Sequence, residues 1–311
     1  VRIVVTGASG FVGGAVTRAL AEHGHDVTGT GRRDDVQFAH AVYRRWALSE
    51  KPPEGLFDGV DAVVHAAALA DDWAPRSRAL ATNLGGTRAV LDRLGDARLV
   101  HLSTASVYDP AVPTVRAREE EAPVARYLGS YAASKAAAER ELMGRMGAKG
   151  VRAVILRPHA VYGPGDTTLL PRLLRAARGG VLRLPSGGEV LHTLTHIDNL
   201  VHAVRRALDP ASPTGVYNVG DDSAVVLGPV LRELLVRRGI TGARIESVPY
   251  RTAYLAAGAA ERLSRLTRLR PPVTRYAVSQ LGLERTLELS RARELLDYRP
   301  TPTTLDGARD W

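Results

Sequence analysis

The chain opens Val1-Arg2-Ile3-Val4-Val5-Thr6-Gly7-Ala8-Ser9-Gly10-Phe11-Val12-Gly13, and the reading of this stretch decides the fold. Arg2 to Val5 is a short β-branched run, which predicts a strand. Ala15 to His23 carries apolar residues at helical spacing, which predicts an amphipathic helix. Strand, glycine turn and helix in that order are the setting a phosphate-binding glycine motif requires. Gly7 allows the tight turn, Gly10 lets the backbone approach a pyrophosphate, and Gly13 lets the helix lie close to the sheet. The helix N-terminus then offers unpaired N–H groups to an anion. A plain structural turn needs no such spacing, so the stretch points to dinucleotide binding.

Outward from it, Asp26 to Thr30 reads as a second strand. An NAD site places an acid at the end of that strand, ~20 residues on, to hold the ribose 2′-hydroxyl. Here Gly31-Arg32-Arg33 stands in that place, and the first acid is Asp34. Glycine leaves room, and an arginine fork can hold a 2′-phosphate. The expected cofactor is therefore NADP(H), with NAD(H) as the alternative. Val42 to Trp46 predicts a third strand and Asp61 to His65 a buried fourth. The fourth runs into Ala66-Ala67-Ala68, small residues against which a flat cofactor can lie. His65 itself reads as a packed, hydrogen-bonded histidine.

Asn83-Leu84-Gly85-Gly86-Thr87 predicts the opening of a helix that runs to Leu94. Arg98 to Leu102 is a further strand, ending in Ser103-Thr104-Ala105-Ser106-Val107-Tyr108. Hydroxyls at the carboxyl end of a parallel strand lie where α/β sheets bind ligands. Val151 to Leu156 is the next strand, followed by Arg157-Pro158-His159-Ala160-Val161-Tyr162-Gly163-Pro164-Gly165-Asp166. This alternation predicts an α/β protein with a doubly wound, mainly parallel Rossmann sheet. After Asp166 the pattern loosens. Helices are expected at 169–178, 198–207, 229–238 and 250–270, and strands at 181–184, 189–195 and 215–219. The cofactor domain is placed at 1–165, with the chain returning to it at about 190–220. Residues 166–311 form a smaller, mostly helical substrate-binding part, interleaved with the first.

Tyr131-Ala132-Ala133-Ser134-Lys135 sets a phenol and an ammonium four residues apart in a helix-forming run. A nearby lysine cation favours the phenolate, so the phenol exchanges a proton more readily. By spacing alone a solvated helix face is the better reading of the pair. The flanking motifs decide between the two.

Composition narrows the classes. The 311 residues are 45% hydrophobic, ordinary for a globular chain, and no stretch is long and apolar enough to span a membrane. The N-terminus lacks the blocks of a signal peptide. With no cysteine, thiol chemistry and disulfides are excluded, which fits a cytoplasmic location. No histidine or carboxylate spacing suggests a metal. The formal net charge is +9, almost all of it arginine, since the lysines are only Lys51, Lys135 and Lys149. The arginines are scattered among acids and not interleaved with aromatics, so no nucleic-acid partner is expected.

Taken together, the chain resembles the extended short-chain dehydrogenase/reductase family, the NAD-dependent epimerase/dehydratase superfamily. The matching elements are TGASGFVG from Thr6, HAAA from His65, NLGGT from Asn83, STASVY from Ser103, YAASK from Tyr131 and RPHAVYGPGD from Arg157. HIDN from His196 and GVYNVG from Gly215 extend the match over nearly the whole chain. The resemblance implies that Tyr131 and Lys135 are catalytic, with Thr104 as the third member. It implies cofactor contacts along Gly7, Ser9, Gly10, Phe11, Val12 and Gly13, at Arg32 and Arg33, at His65, Ala66, Ala67 and Asn83, and at Pro158, Ala160 and Val161. Lys135 would bond the nicotinamide ribose. Ser106, His159 and His192 are candidates to face a small-molecule substrate. Relatives often pair through the helices around Thr87 and Ala136, which implies a homodimer.

Two jobs are common in the family: nucleotide-sugar epimerisation, dehydration or reduction, and redox chemistry on a lipid-like alcohol or ketone. Sugar-nucleotide members usually carry a pyrophosphate-clamping arginine six residues before the Asp of HIDN. Here that position is His192, a poor replacement for a bidentate cation. The segments from Pro271 to Tyr276 and from Ser290 to Pro300 resemble the 3β-hydroxysteroid dehydrogenase-like branch. The expectation is therefore an NADP(H)-dependent oxidoreductase acting on an apolar ketone or secondary alcohol. The alternative is a nucleotide-sugar epimerase, dehydratase or reductase. Trp46 departs from the family, standing about where relatives carry an Asp near the adenine.

Overall fold

The computed structural model describes residues 1–311 apart from the side chain of Lys149. The first half alternates as the sequence predicts: β1 (Arg2–Thr6), α1 (Phe11–Glu22), β2 (Asp26–Gly31), β3 (Val42–Arg45) and β4 (Ala62–His65). Then come α2 (Arg76–Leu80), α3 (Gly86–Leu91), β5 (Arg98–Leu102), β6 (Thr114–Ala117), α4 (Ser130–Lys149), β7 (Ala153–Pro158) and β8 (Val161–Tyr162). The second half contains α5 (Leu169–Ala176), β9 (Val181–Pro185), β10 (Leu191–His192), β11 (Thr195–His196), α6 (Ile197–Leu208), β12 (Gly215–Val219) and β13 (Val225–Val226). It ends with α7 (Leu227–Arg237), β14 (Arg244–Val248), α8 (Tyr250–Thr267), α9 (Arg275–Gly282), β15 (Arg285–Leu287) and α10 (Ser290–Leu295).

Seven strands form one sheet in the order β12-β7-β5-β4-β1-β2-β3, and every neighbouring pair runs parallel. Strand alternation splits the core between two faces. Ile3 and Val5 point to the face covered by Val16 and Leu20 of α1 and by Leu200 and Val204 of α6. Val4, Val63, Leu99 and Ile155 point to the other, covered by Val90 of α3 and Leu142 of α4. The sheet is thus doubly wound, a Rossmann-like α/β fold. The strand order reverses between β1 and β4, and the crevice beyond their carboxyl ends is where such sheets take ligands.

Two expectations are corrected. The helix expected to open at Asn83 begins at Arg76, and Asn83 sits inside a π-helical turn, Ala81–Gly85, between α2 and α3. The strand expected over 189–195 is split into β10 and β11, because Thr193 turns its backbone N–H to Arg285 and its hydroxyl to Leu287. The C-terminal part is mostly helical, as its sequence reads. It carries a four-stranded sheet, β13-β10-β15-β6, and the pair β14-β9, over a second core built on Leu170, Leu173, Leu184, Leu231 and Leu235.

Candidate active site

The glycine turn is a cradle that side chains would fill. Gly7 has φ +76°, and a Cβ there would stand 2.7 Å from the backbone nitrogen of Ala67. A Cβ on Gly13 would stand 2.2 Å from the carbonyl oxygen of Gly7. α1 starts at Phe11 with Gly10 extended before it, and no side chain caps its N-terminus. Its first N–H groups therefore aim into the crevice with Val12 and Gly13 behind them. Ala66 and Ala67 form the opposite wall, where Ala67 donates its N–H to the Thr6 hydroxyl at 3.2 Å. A pyrophosphate of a dinucleotide fits this cradle.

The end of β2 is equally tight. A Cβ on Gly31 would lie 2.3 Å from Ser9 Oγ and 2.9 Å from the Tyr43 hydroxyl. An acidic side chain at that position has no room. Exposed Arg33 folds back so that its guanidinium donates to the Ser9 carbonyl, while its own carbonyl accepts from Tyr43 at 2.7 Å. Arg32 is exposed beside it. The first acid, Asp34, is drawn off to Arg45 at 3.2 Å. Trp46 is core: it packs edge-on against Phe57 and donates its indole N–H to the Glu50 carbonyl.

Two residues expected along the cofactor are turned inward instead. His65 is buried with its Nδ1 on Thr6 (2.8 Å) and its Nε2 on Thr87 (3.2 Å). Burial, with the Lys135 charge, pushes it down to about 3, so the ring is neutral and fully occupied. The Asn83 side chain accepts from Leu69 N at 2.7 Å and donates to Leu69 O and to Ser134 Oγ. It braces the segment after β4 against α4.

α4 presents Tyr131 in its first turn. Ser130 ties that turn down by donating to the Ala74 carbonyl at 2.7 Å. Burial pushes the Tyr131 phenol above its usual value, and the Thr104 hydroxyl beside it pulls the other way. Thr104 reaches this place because it follows β5 directly. Lys135 lies one helical turn on, and here the sequence reading needs correction. Its ammonium is not hydrogen-bonded to the phenol. It donates to the Leu102 carbonyl at 2.6 Å and lies 3.2 Å from His101 Nε2. Burial lowers it to about 8, opposed by Glu139. The cause is direction: the buried Lys135 stem runs down to β5, while the phenol meets the hydroxyl just past the end of that strand.

A chain of hydroxyls continues from Thr104. Its Oγ1 lies 3.0 Å from Ser106 Oγ and accepts from Ser106 N at 3.1 Å. Ser106 Oγ in turn lies 2.6 Å from the hydroxyl of Tyr276 on α9. Desolvation at its half-buried position beside Tyr131 pushes the Tyr276 phenol far up. Sequence reasoning did not single out Tyr276 or His101. A polar residue inside the buried strand Arg98–Leu102 is a usable signal for His101. Nothing local signals Tyr276.

The remaining candidates lie after β7. Pro158 ends that strand, Ala160 takes φ +46°, and Val161 pairs with Thr195. His159 and His192 face each other, Nε2 to Nδ1 at 3.3 Å, both buried. Desolvation lowers both, His192 to about 4, so the pair is neutral. The nearby cation, Arg285, sits opposite His192 across the β10–β15 pairing. Its guanidinium is spent on the carbonyls of Asp109, Pro110, Val112 and Ser279 and on the hydroxyls of Thr114 and Ser279.

The sequence model of the NAD dependent epimerase/dehydratase family matches residues 3–220. The chain is 32% identical to a 2-alkyl-3-oxoalkanoate reductase of Stenotrophomonas maltophilia, over 99% of this chain and 97% of that one. It is also 32% identical to 4-hydroxy-2-methyl-3-oxo-4-farnesyl-3,4-dihydroquinoline-1-oxide ketoreductase of Stigmatella aurantiaca, over 98% of this chain and 94% of that one. Among solved structures, the UDP-glucuronic acid 4-epimerase of Bacillus cereus superposes with a TM-score of 0.77 at 20% identity, covering 100% of this chain and 97% of that one. That likeness is one of fold.

Proposed function

The chain belongs to the NAD dependent epimerase/dehydratase family, an NAD(P)-dependent dehydrogenase or reductase by kind, and we propose that it is an NADP(H)-dependent ketoreductase acting on an apolar β-keto acyl or steroid-like substrate. What supports this reading is that α4 packs against the turn after β5, so that Tyr131 and Thr104 come together at the carboxyl end of the sheet that also holds the glycine turn. The nicotinamide supplies or accepts hydride when bound. Thr104 holds the substrate oxygen, and Tyr131 gives that oxygen its proton as charge develops on it. A phenol pushed upward by burial stays protonated at neutral pH, which suits the reducing direction. Lys135, anchored on Leu102 and His101, would give its remaining N–H to the nicotinamide ribose.

Three features support the finer points. Gly31 leaves no room for an acid, and Arg33 lies against the glycine turn where it can meet a 2′-phosphate. His192 is buried and neutral where sugar-nucleotide enzymes need a cation, and the terminal nitrogens of Arg285 are held by the Asp109–Thr114 segment and Ser279. The relatives named above act on 3-oxoalkanoates and on a farnesylated ketone. A homodimer packed through the outer faces of α3 and α4, in a cytoplasmic setting, belongs to the same proposal.

The test is NADPH consumption with 2-alkyl-3-oxoalkanoates, steroid ketones and UDP- or dTDP-sugars side by side. Turnover of an apolar ketone supports the reading. Turnover of a sugar nucleotide alone, or thermal stabilisation by it alone, selects the nucleotide-sugar alternative.

A further inference from the structure

The outer face of α8 has no partner within the chain. Leu255, Leu263 and Leu266 are 73%, 60% and 83% exposed, and Leu269 just beyond the helix is 70% exposed. Only Ala257, Glu261 and Ser264 of this 18-residue helix are buried. Leu255, Ala259, Arg262 and Leu266 follow one another at spacings of four, three and four, so they form one stripe opposite the buried side. Arg251, Arg262, Arg265 and Arg268 are exposed along the same stretch, while Arg270 beyond them is paired with Asp71 at 2.8 Å. The one acid in the helix, Glu261, is buried and held by Arg275 at 2.8 Å. Leucines in water with arginines around them, and no exposed carboxylate on the helix, require an occupant that is apolar and anionic.

We propose that α8 docks on the surface of an anionic lipid bilayer, with its leucines in the acyl boundary and its arginines on the phosphates. This is the pattern of a helix that lies in the interface plane. Arginine stems pack against the apolar layer while their heads reach the phosphates. No helix of the described residues is long and apolar enough to cross a membrane, so the helix lies on the surface. A second copy fits poorly, because a two-fold contact would set these arginines against themselves. A nucleic acid would meet the arginines and leave the leucines in water. α8 also packs against α9, whose Tyr276 reaches Ser106 in the active site. Docking there sets the site one helix from the phase in which an apolar ketone concentrates.

The experiment is flotation of the full chain with vesicles of phosphatidylcholine alone or mixed with phosphatidylglycerol. The readout is binding, so it stands apart from the ketoreductase reading. We expect binding to the mixed vesicles, weakened by salt, and at least about tenfold weaker binding to phosphatidylcholine alone. L255S/L266S and R262E/R265E should each lower binding to the mixed vesicles about tenfold or more. These positions are exposed, so the variants should keep the wild-type circular dichroism and melting temperature. Wild-type binding equal to that of both variants overturns the proposal, as does failure to bind either vesicle. A wild-type dimer that L255S/L266S dissociates, or tight duplex DNA binding indifferent to the leucine pair, assigns the face to those partners and also overturns it.

Discussion

Arg157 and Glu139 form a two-pronged ion pair inside the protein, Nη2 to Oε2 at 2.7 Å and Nε to Oε1 at 3.1 Å, with both side chains 0% exposed. Arg157 stands on β7, and Glu139 lies two turns beyond Tyr131 on α4. The guanidinium also donates to the carbonyls of Glu119 at 2.7 Å and Ala122 at 3.0 Å. The pair therefore fixes the helix that carries Tyr131 and Lys135 onto the sheet. A buried pair returns little net stability against its desolvation, but losing one member leaves a charge stranded.

Glu139→Gln should lower stability by about 3–5 kcal/mol, since the guanidinium stays buried without its counter-charge. Urea unfolding measures this. Replacing both residues by apolar side chains of similar volume should recover much of the loss. A loss under about 1 kcal/mol for the single variant would show that the pair does not anchor α4.

Acid should weaken the fold before the carboxylates titrate. His65, lowered to about 3, and His192, lowered to about 4, are buried neutral, and His101 and His159 are also held well down. Between those values and the ordinary histidine range, the unfolded chain takes up protons the folded one refuses. Stability is then intact above about pH 6.5 and falls as pH drops, by up to ~1.4 kcal/mol per unit for each histidine. His192→Asn should flatten the decline in denaturation midpoint between neutral pH and about pH 5. An unchanged decline in His192→Asn would contradict a buried neutral His192.

On the NADP(H) reading proposed above, cofactor choice would rest on Arg33 and the crowding at Gly31. Arg33→Ala should weaken NADPH binding about tenfold or more while leaving NADH within about twofold, the size expected for one charge-assisted contact. Fluorescence titration with both nucleotides gives the comparison. Equal losses for both would remove the arginine from the 2′-phosphate.

The Thr104–Ser106–Tyr276 chain should act as one unit. Tyr276→Phe and Ser106→Ala should each reduce kcat about two- to tenfold on the best ketone, with NADPH affinity kept. The double variant should be little worse than either single one, because both break the same chain. Multiplying losses in the double variant would mean that the two residues act separately.

The fold was legible because each device at the start of the chain is local. Strand, glycine turn and helix occupy the first residues, and their spacing carries the physics. Arg33 after a glycine, and a neutral residue at 192, could also be read in place. What escaped depends on contacts far apart in sequence. Ser106 and Tyr276 are separated by 170 positions. The four-residue spacing of Tyr131 and Lys135 places them on one helix face, yet it does not say that Lys135 runs down to Leu102. Asn83 looked like the start of a helix because two glycines follow it. The π turn that holds it arises from its bonds to Leu69 and Ser134.

The direct measurement is the turnover of Tyr131→Phe against wild type with NADPH and the best apolar ketone, together with NADPH affinity for both. The change removes one hydroxyl and nothing else from the crevice. The account predicts that kcat falls by about 10²–10⁴ with NADPH affinity unchanged, the usual weight of a positioned acid. A variant that keeps kcat within a few-fold of wild type would show that the substrate oxygen takes its proton from elsewhere.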